Sequence, residues 1–374
     1  MIPYIVTFVP ACVLIMMAEH YGKIKDKKYI LPQILLILAC CCLAMLAALR
    51  GDTIGTDVRT YVIRYFSYAG RESDFFNFIK AFEADSVEPL YMLLNWIVAR
   101  FTDNVRVWYF FIEFWDVAFI IAFLWENRKK YSLPMGAFVM MMMFYNISFN
   151  AVRQMMAVSV CLYSFSAARD KKLKKFIILM FMAVLIHRST VILLATYPLC
   201  RIFEKKNPAS IDMTIIKYSL VSLTGLLLVN KIVYILIKIR VFPVKFSHYI
   251  GTGFGISRFS VIVFFIPVLF IMLVYRKRLY KYDSLNPVVF FYLILWPMFA
   301  QLDSVSSQFG RMAYSFMTAN IVLYAQIPKL FLIEKNRSNT IILSAGTIFF
   351  WILFWIMNFC VWNGGETFPY ILGV

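Results

Sequence analysis

Apolar residues run along this chain in long blocks separated by short charged clusters, and the blocks predict the elements. Ile2 to Met17, Ile30 to Leu49, Val105 to Trp125, Tyr131 to Phe149, Met213 to Ile237, Phe259 to Tyr275, Pro287 to Leu302, Met312 to Ile327 and Thr340 to Cys360 approach or exceed the length that crosses ~30 Å of hydrocarbon as a helix. The period-two alternation of a barrel strand is absent. Backbone polar groups inside a bilayer must be satisfied within their own segment, so the pattern predicts an all-α, polytopic integral membrane helical bundle, a single domain over residues 1–374. Two stretches fit less simply. Pro89 to Phe101 is short and reads as a re-entrant or interfacial half-membrane helix, while Phe176 to Leu199 is interrupted by His187 and Arg188 and reads as a dipping hairpin rather than one continuous helix.

Composition agrees with the blocks: 62% hydrophobic residues and 18% aromatic exceed what a soluble domain carries. The net charge of +18 would suit nucleic acid if it lay on one soluble face. It lies instead in clusters such as Lys23/Lys25/Lys27/Lys28, Arg128/Lys129/Lys130, Arg169/Lys171/Lys172 and Arg276/Lys277/Arg278, which mark cytoplasmic ends by the positive-inside rule. The partner implied is a lipid bilayer and not nucleic acid. With the first cluster inside, the N-terminus lies outside, residues 50–88 form an outer loop and residues 230–258 a second one. The first block lacks a charged leader and a small-residue cleavage site, so it reads as a retained helix.

Seven cysteines fall mostly within apolar blocks, and three dispersed histidines make no ligand spacing, so neither a disulfide framework, a metal site nor a cofactor is expected. Gly251, Gly253 and Gly255 lack the strand-to-helix context of a phosphate-binding loop. No internal repeat is visible, which weighs against a secondary transporter.

On this topology the remaining polar residues gather on the outer side, where each charge at membrane level costs roughly 2.5–3.5 kcal/mol and so marks a working site. In RGDTIGTD a tight turn holds Arg50 close to Asp52 and Asp57. Glu88 precedes Pro89 at the start of the short outer helix. Asn150, Arg153 and Gln154 in NAVRQ share one helix face, a donor-rich patch. Arg311 in QFGRMAY repeats that arrangement, and Arg258 closes the second outer loop. His187, in AVLIHRST, brings an imidazole that ordinarily titrates near ~6.5. Guanidinium forks bind phosphate oxygens bidentately, so arginines on one membrane face point to a phosphate-bearing lipid, and a pyrophosphate lipid best explains fixed positive charge meeting a leaving group.

RGDTIGTD with Tyr61 following, EPLYMLLNW, NAVRQMMA and IHRST, in this order and spacing, resemble the EpsG-type family of Wzy-like exopolysaccharide and O-antigen polymerases. GRMAY and NGGETFPY extend the likeness toward the C-terminus. The resemblance implies a GT-C-like polymerase architecture and the polymerisation of polyprenyl-pyrophosphate-linked oligosaccharides on the outer, periplasmic face of a bacterial inner membrane, alongside a flippase and a chain-length regulator. It carries over Arg50, Gly55, Asp57, Glu88, Pro89, Asn150, Arg153, Gln154 and His187. The expected roles are Arg153 and Arg311 on pyrophosphate, Arg50 orienting the acidic turn, and His187 or Asp57 as base. A lipid-linked oligosaccharide flippase or exporter, an O-antigen ligase and a membrane acyltransferase are the alternatives. The last would need a second polar residue within a helix, and none is expected.

Overall fold

The computed structural model describes residues 1–23, 30–228, 231, 234, 235, 238, 259–304, 307–333 and 337–373. Every regular element among them is helical, and their one β pairing is an isolated antiparallel bridge between Arg50 and Leu372. Six helices among the described residues are long and apolar enough to cross a membrane: Ile2–Tyr21, Ile30–Ala48, Val105–Glu126, Pro208–Leu227, Asn286–Ser304 and Ser338–Val361. Pro89–Ala99 and Leu133–Met143 are shorter apolar helices. The fold is a polytopic membrane helical bundle.

The chain forms two compact units, Met1–Leu194 with Tyr324–Val374, and Ala195–Leu323. In the first, α1 (Ile2–Tyr21) packs on α2 (Ile30–Ala48), and α2 packs on α6 (Val105–Glu126). Between them come α3 (Arg64–Arg71), α4 (Phe75–Ala81) and α5 (Pro89–Ala99). After α7 (Leu133–Met143) and the single turn α8 (Tyr145–Ser148), α9 (Val152–Arg169) packs against α6, and α10 (Leu173–Ile186) against α9. The second unit contains α11 (Thr196–Glu204), α12 (Pro208–Leu227), α13 (Phe259–Tyr282) and α14 (Asn286–Ala300), with α12 and α13 packed on α14. Within that unit Arg276 Nε donates to Asp212 Oδ2 at 3.0 Å, tying α13 to α12.

The block Met312 to Ile327 is divided at Thr318 into the helices Ala313–Met317 and Ala319–Ile333, and three further features differ from the sequence pattern. The block Tyr131 to Phe149 is broken: α7 stops at Met143, and the chain turns through α8 before α9 begins. The reason is Asn146, fully buried, whose amide donates to Tyr4 Oη at 3.0 Å and Thr367 Oγ1 at 2.9 Å and accepts from Trp355 Nε1 at 2.8 Å. A buried amide needs such partners, and these lie beyond its own helix. Secondly, α9 is a full eighteen-residue helix. Ser159, Ser164 and Ser166 dilute its apolar signal while burying inside the bundle. Thirdly, the 50–88 segment is folded rather than open. It contains a π-helix (Val58–Ile63), α3 and α4, and buries Tyr65, Phe66 and Phe78. Most of the expected loop 230–258, Arg258 included, lies outside the described residues.

The turn after α2 is clasped by the segment near Leu372. The Gly51 N–H donates to the Ile371 carbonyl at 2.8 Å, the Gly373 N–H to the Leu49 carbonyl at 2.9 Å, and Arg106 Nη1 to the Gly373 carbonyl at 2.8 Å. Within the turn Gly55 has φ +90°, and a Cβ there would overlap the Phe149 carbonyl oxygen. Both features exclude a side chain. Gly55→Ala is therefore expected to destabilise the first unit by about 2 kcal/mol or more. Thermal unfolding in detergent measures this, and an unchanged midpoint would contradict the close approach.

Candidate active site

Glu88 is the N-cap of α5, held extended (φ −70°, ψ 139°) before Pro89. It does not cap its own helix with its side chain. The carboxylate, 5% exposed, turns instead toward two other segments. Its Oε2 accepts from Arg153 Nη1 at 2.7 Å, and its Oε1 accepts from the Arg188 backbone N–H at 3.1 Å. His187 Nδ1 stands 3.4 Å from the same Oε1, at ion-pair range without hydrogen-bond alignment.

Each partner reaches Glu88 because a helix starts or stops there. Arg153 is the second residue of α9, just after the break at Phe149–Ala151. His187 ends α10 in an extended conformation (φ −156°, ψ 116°), and a 3-10 helix follows over Arg188–Ala195. The extended residue turns the backbone so that the Arg188 N–H, unsatisfied by α10, finds the carboxylate. Both side chains keep about a quarter of their surface accessible, 23% for Arg153 and 25% for His187. One guanidinium and one imidazole thus stand open above a sealed carboxylate.

Burial alone would raise the Glu88 pKa. The His187 contact, the Arg153 charge and the Arg188 N–H outweigh it and bring the carboxyl down to about 2. Glu88 is therefore an anion at every physiological pH and a poor proton acceptor. Its chemical capacity is to hold a cation and orient an imidazole, leaving Nε2 of His187 to face a reacting group, as the acidic member of a catalytic triad does.

Aromatic rings flank the guanidinium. The Arg153 guanidinium carbon lies 5.9 Å from the Tyr61 ring and 5.8 Å from the Tyr91 ring. Tyr61 belongs to the π-helix, a backbone form enriched at functional sites, and is half-buried. The RGDTIGTD turn meets the NAVRQ break directly: Thr56 Oγ1 donates to Asn150 Oδ1, and Gly55 lies on Phe149. The sequence motifs singled out for chemistry from residue 50 to residue 188 therefore converge in one unit.

The EpsG family model matches residues 33–372. The chain belongs to the EpsG family. No curated protein and no solved structure matches it. Family membership and the apolar helices together make this a multi-pass membrane protein related to exopolysaccharide polymerases.

In this EpsG-family chain the expected site residues take different positions. Glu88, Arg153 and His187 meet directly. Asp57 begins the π-helix and interacts electrostatically with Tyr91. Exposed Asp52 accepts from the Tyr109 hydroxyl at 3.2 Å. Arg50, at 2% exposure, is sealed beneath the turn between the rings of Tyr109 (4.6 Å) and Phe149 (4.3 Å). That placement suits a residue holding the turn from below rather than one touching substrate. Gln154 is buried, and Arg311 belongs to the second unit.

Two polar groups within a membrane helix were not anticipated. Glu113 and Asp116, 2% and 4% exposed, sit midway along α6. Glu113 Oε2 lies 2.6 Å from Ser148 Oγ, and Asp116 Oδ1 lies 3.4 Å from Ser159 Oγ. Each serine also lies close to a backbone carbonyl of its own segment, Tyr145 at 2.7 Å and Met156 at 2.8 Å. These contacts join α6 to α8 and α9 as polar bridges join membrane helices. The signal was an acidic pair three residues apart inside an otherwise apolar block. Among the described residues no group of three or more metal-ligating side chains occurs.

Proposed function

We propose that this protein polymerises glycan repeats, transferring a growing chain from polyprenyl pyrophosphate to a lipid-linked oligosaccharide on the outer face of a bacterial inner membrane. The observation that carries this reading is the Glu88–Arg153–His187 cluster, an anion that fixes a phosphate-binding fork beside a general base. In the reaction His187 Nε2 takes the proton of the acceptor sugar hydroxyl. The hydroxyl oxygen attacks the anomeric carbon of the donor, and the bond from that carbon to the pyrophosphate oxygen breaks. The electron pair leaves with the pyrophosphate, where Arg153 meets the growing negative charge. Glu88 holds both groups and neither gives nor takes a proton. Half-buried Tyr61 offers a ring face beside the fork, and Tyr91, fully buried, backs the guanidinium from the core.

The outer placement rests on helix polarity. Starting from Arg50, Arg153 and His187, the helices α2, α9 and α10 lead back to the basic clusters Lys23–Lys28, Arg169–Lys172 and Lys171–Lys175. A flippase supplying the lipid-linked repeats and a chain-length regulator complete the proposed setting.

Purified protein in detergent, given lipid-linked repeats and no nucleotide or acyl-CoA, is expected to lengthen the glycan and release polyprenyl pyrophosphate. Absence of both products would reject the reaction. Arg153→Lys keeps the charge and loses the fork, so a fall in kcat of about 10²-fold is expected. Near wild-type polymer length in that variant would exclude bidentate binding.

A further inference from the structure

A groove of about 550 Å³ runs along α1 in the first unit, closed on its other side by α7 and the end of α15 (Arg337–Trp355). Its volume falls within the ~300–1,000 Å³ of small-ligand sites, yet its lining is wholly apolar. Tyr4, Phe8 and Trp355 make a buried aromatic floor, while Ile5, Val9 and Val13 form an aliphatic wall about half exposed. The spacing of three and four keeps these positions on one face of α1, and the lining continues to Met16, so from Tyr4 the groove extends roughly 18 Å along the helix.

The floor is pinned by the same break that presents the candidate active site. Trp355 Nε1 donates to Asn146 Oδ1, and Asn146 Nδ2 to Tyr4 Oη, in the chain just before Asn150 and Arg153. Tyr4 Oη in turn donates to the Thr367 carbonyl at 2.7 Å, and Gly365, two residues earlier, lies against Asn150. One polar frame thus links the end of the groove to the end of α9.

We propose that this groove holds the isoprenoid tail of the lipid-linked substrate, an inference that rests on the polymerase reading. Moving a hydrocarbon chain from bilayer to groove gains nothing from the hydrophobic effect, because lipid is as apolar as the groove. Occupancy must come from packing and from tethering. A chain branched by a methyl group on every fourth carbon packs its irregular edge against rigid rings and β-branched walls. Once its phosphate is held at Arg153, the tail binds as an intramolecular step at high effective concentration. Phospholipid chains have the same apolarity, but their headgroup offers a singly charged phosphodiester in place of a terminal phosphate or pyrophosphate, so the guanidinium anchors them less.

The test uses a polyprenyl phosphate carrying a diazirine on its terminal isoprene, added to the protein in phosphatidylglycerol nanodiscs. Photolysis is expected to label α1 between Ile5 and Met16. Unlabelled polyprenyl phosphate should suppress labelling at a concentration at least tenfold below that needed with added phosphatidylglycerol. Val9→Trp, and independently Ile5→Trp, should cut the adduct about tenfold. Val221→Trp, on the lipid-facing surface of α12, should leave it unchanged. Equal competition by phospholipid, or adducts spread evenly over α1 and α12, would overturn the groove assignment. Labelling reports the groove without turnover: a labelled but inactive wild type rejects the polymerase reading alone, whereas glycan growth with labelling insensitive to both tryptophans rejects the groove alone.

Discussion

Glu88→Gln is expected to reduce polymer growth by about 10³-fold while the protein still inserts and folds. The substitution keeps the shape and removes the charge on which three contacts converge: the Arg153 fork, the His187 imidazole and the Arg188 N–H. Arg153 loses its counter-charge and is free to swing away from the phosphate, and His187 loses its orienting anion. Stability falls too. A carboxyl held at about 2 against an ordinary value near 4.5 contributes on the order of 3 kcal/mol. Because the folded value is the lower one, that contribution is complete above about pH 4.5 and disappears as pH falls toward 2. Unfolding of the wild type should therefore become easier across that window, and the glutamine variant should lack this component. Parallel unfolding curves for the two proteins between pH 5 and pH 2.5 would remove the ion pair from the explanation.

His187→Gln addresses the proton. Loss of a positioned general base costs about 10²–10⁴-fold in kcat, and the effect should fall on kcat rather than on KM for the lipid donor, which on the proposed reading is the task of Arg153. The His187 contact is the first of those that hold the Glu88 carboxyl down, so the thermal midpoint should fall, though less than in Glu88→Gln, which loses all three contacts. Added imidazole should restore part of the rate to His187→Gly, as it does where a missing side-chain base is the defect. Should His187→Gln keep near wild-type kcat, the base is another group, and Asp57 at the start of the π-helix becomes the candidate.

Much of the fold could be read from apolar length alone. The blocks Ile2 to Met17, Ile30 to Leu49 and Val105 to Trp125 correspond to α1, α2 and α6 within a few residues, because a spanning helix must be apolar for its whole length. α9 escaped that logic. Enclosed by α6 and α10, it faces protein and can carry Ser159, Ser164 and Ser166 without exposing them to lipid. The break at residues 144–151 was hidden for a related reason: Asn146 interrupts the span only because Tyr4, Trp355 and Thr367 stand ready to receive it.

The candidate site was legible where cost was visible. Glu88, Arg153 and His187 stand out as polar residues in apolar surroundings, and the fold brings them together. Their pairing was not legible, because Glu88 before Pro89 reads equally well as a favourable charge at a helix start, and no spacing rule connects residue 88 to residues 153 and 187. Arg50 shows the converse. Its charge drew attention, while the fold encloses it between Tyr109 and Phe149. Glu113 and Asp116 are masked in the sequence by the apolar average of the block that contains them.

The clasp between the turn after α2 and the segment around Leu372 joins parts of the chain that are synthesised far apart. Tyr4 and Thr367, 363 positions apart in sequence, meet in one hydrogen bond beside it. The Gly51 N–H and the Leu49 carbonyl both bond to that distant segment, and the same turn abuts Asn150. On the polymerase reading, the candidate site is completed only after a segment more than three hundred residues downstream has been made, so a chain halted before Thr367 is expected to lack activity.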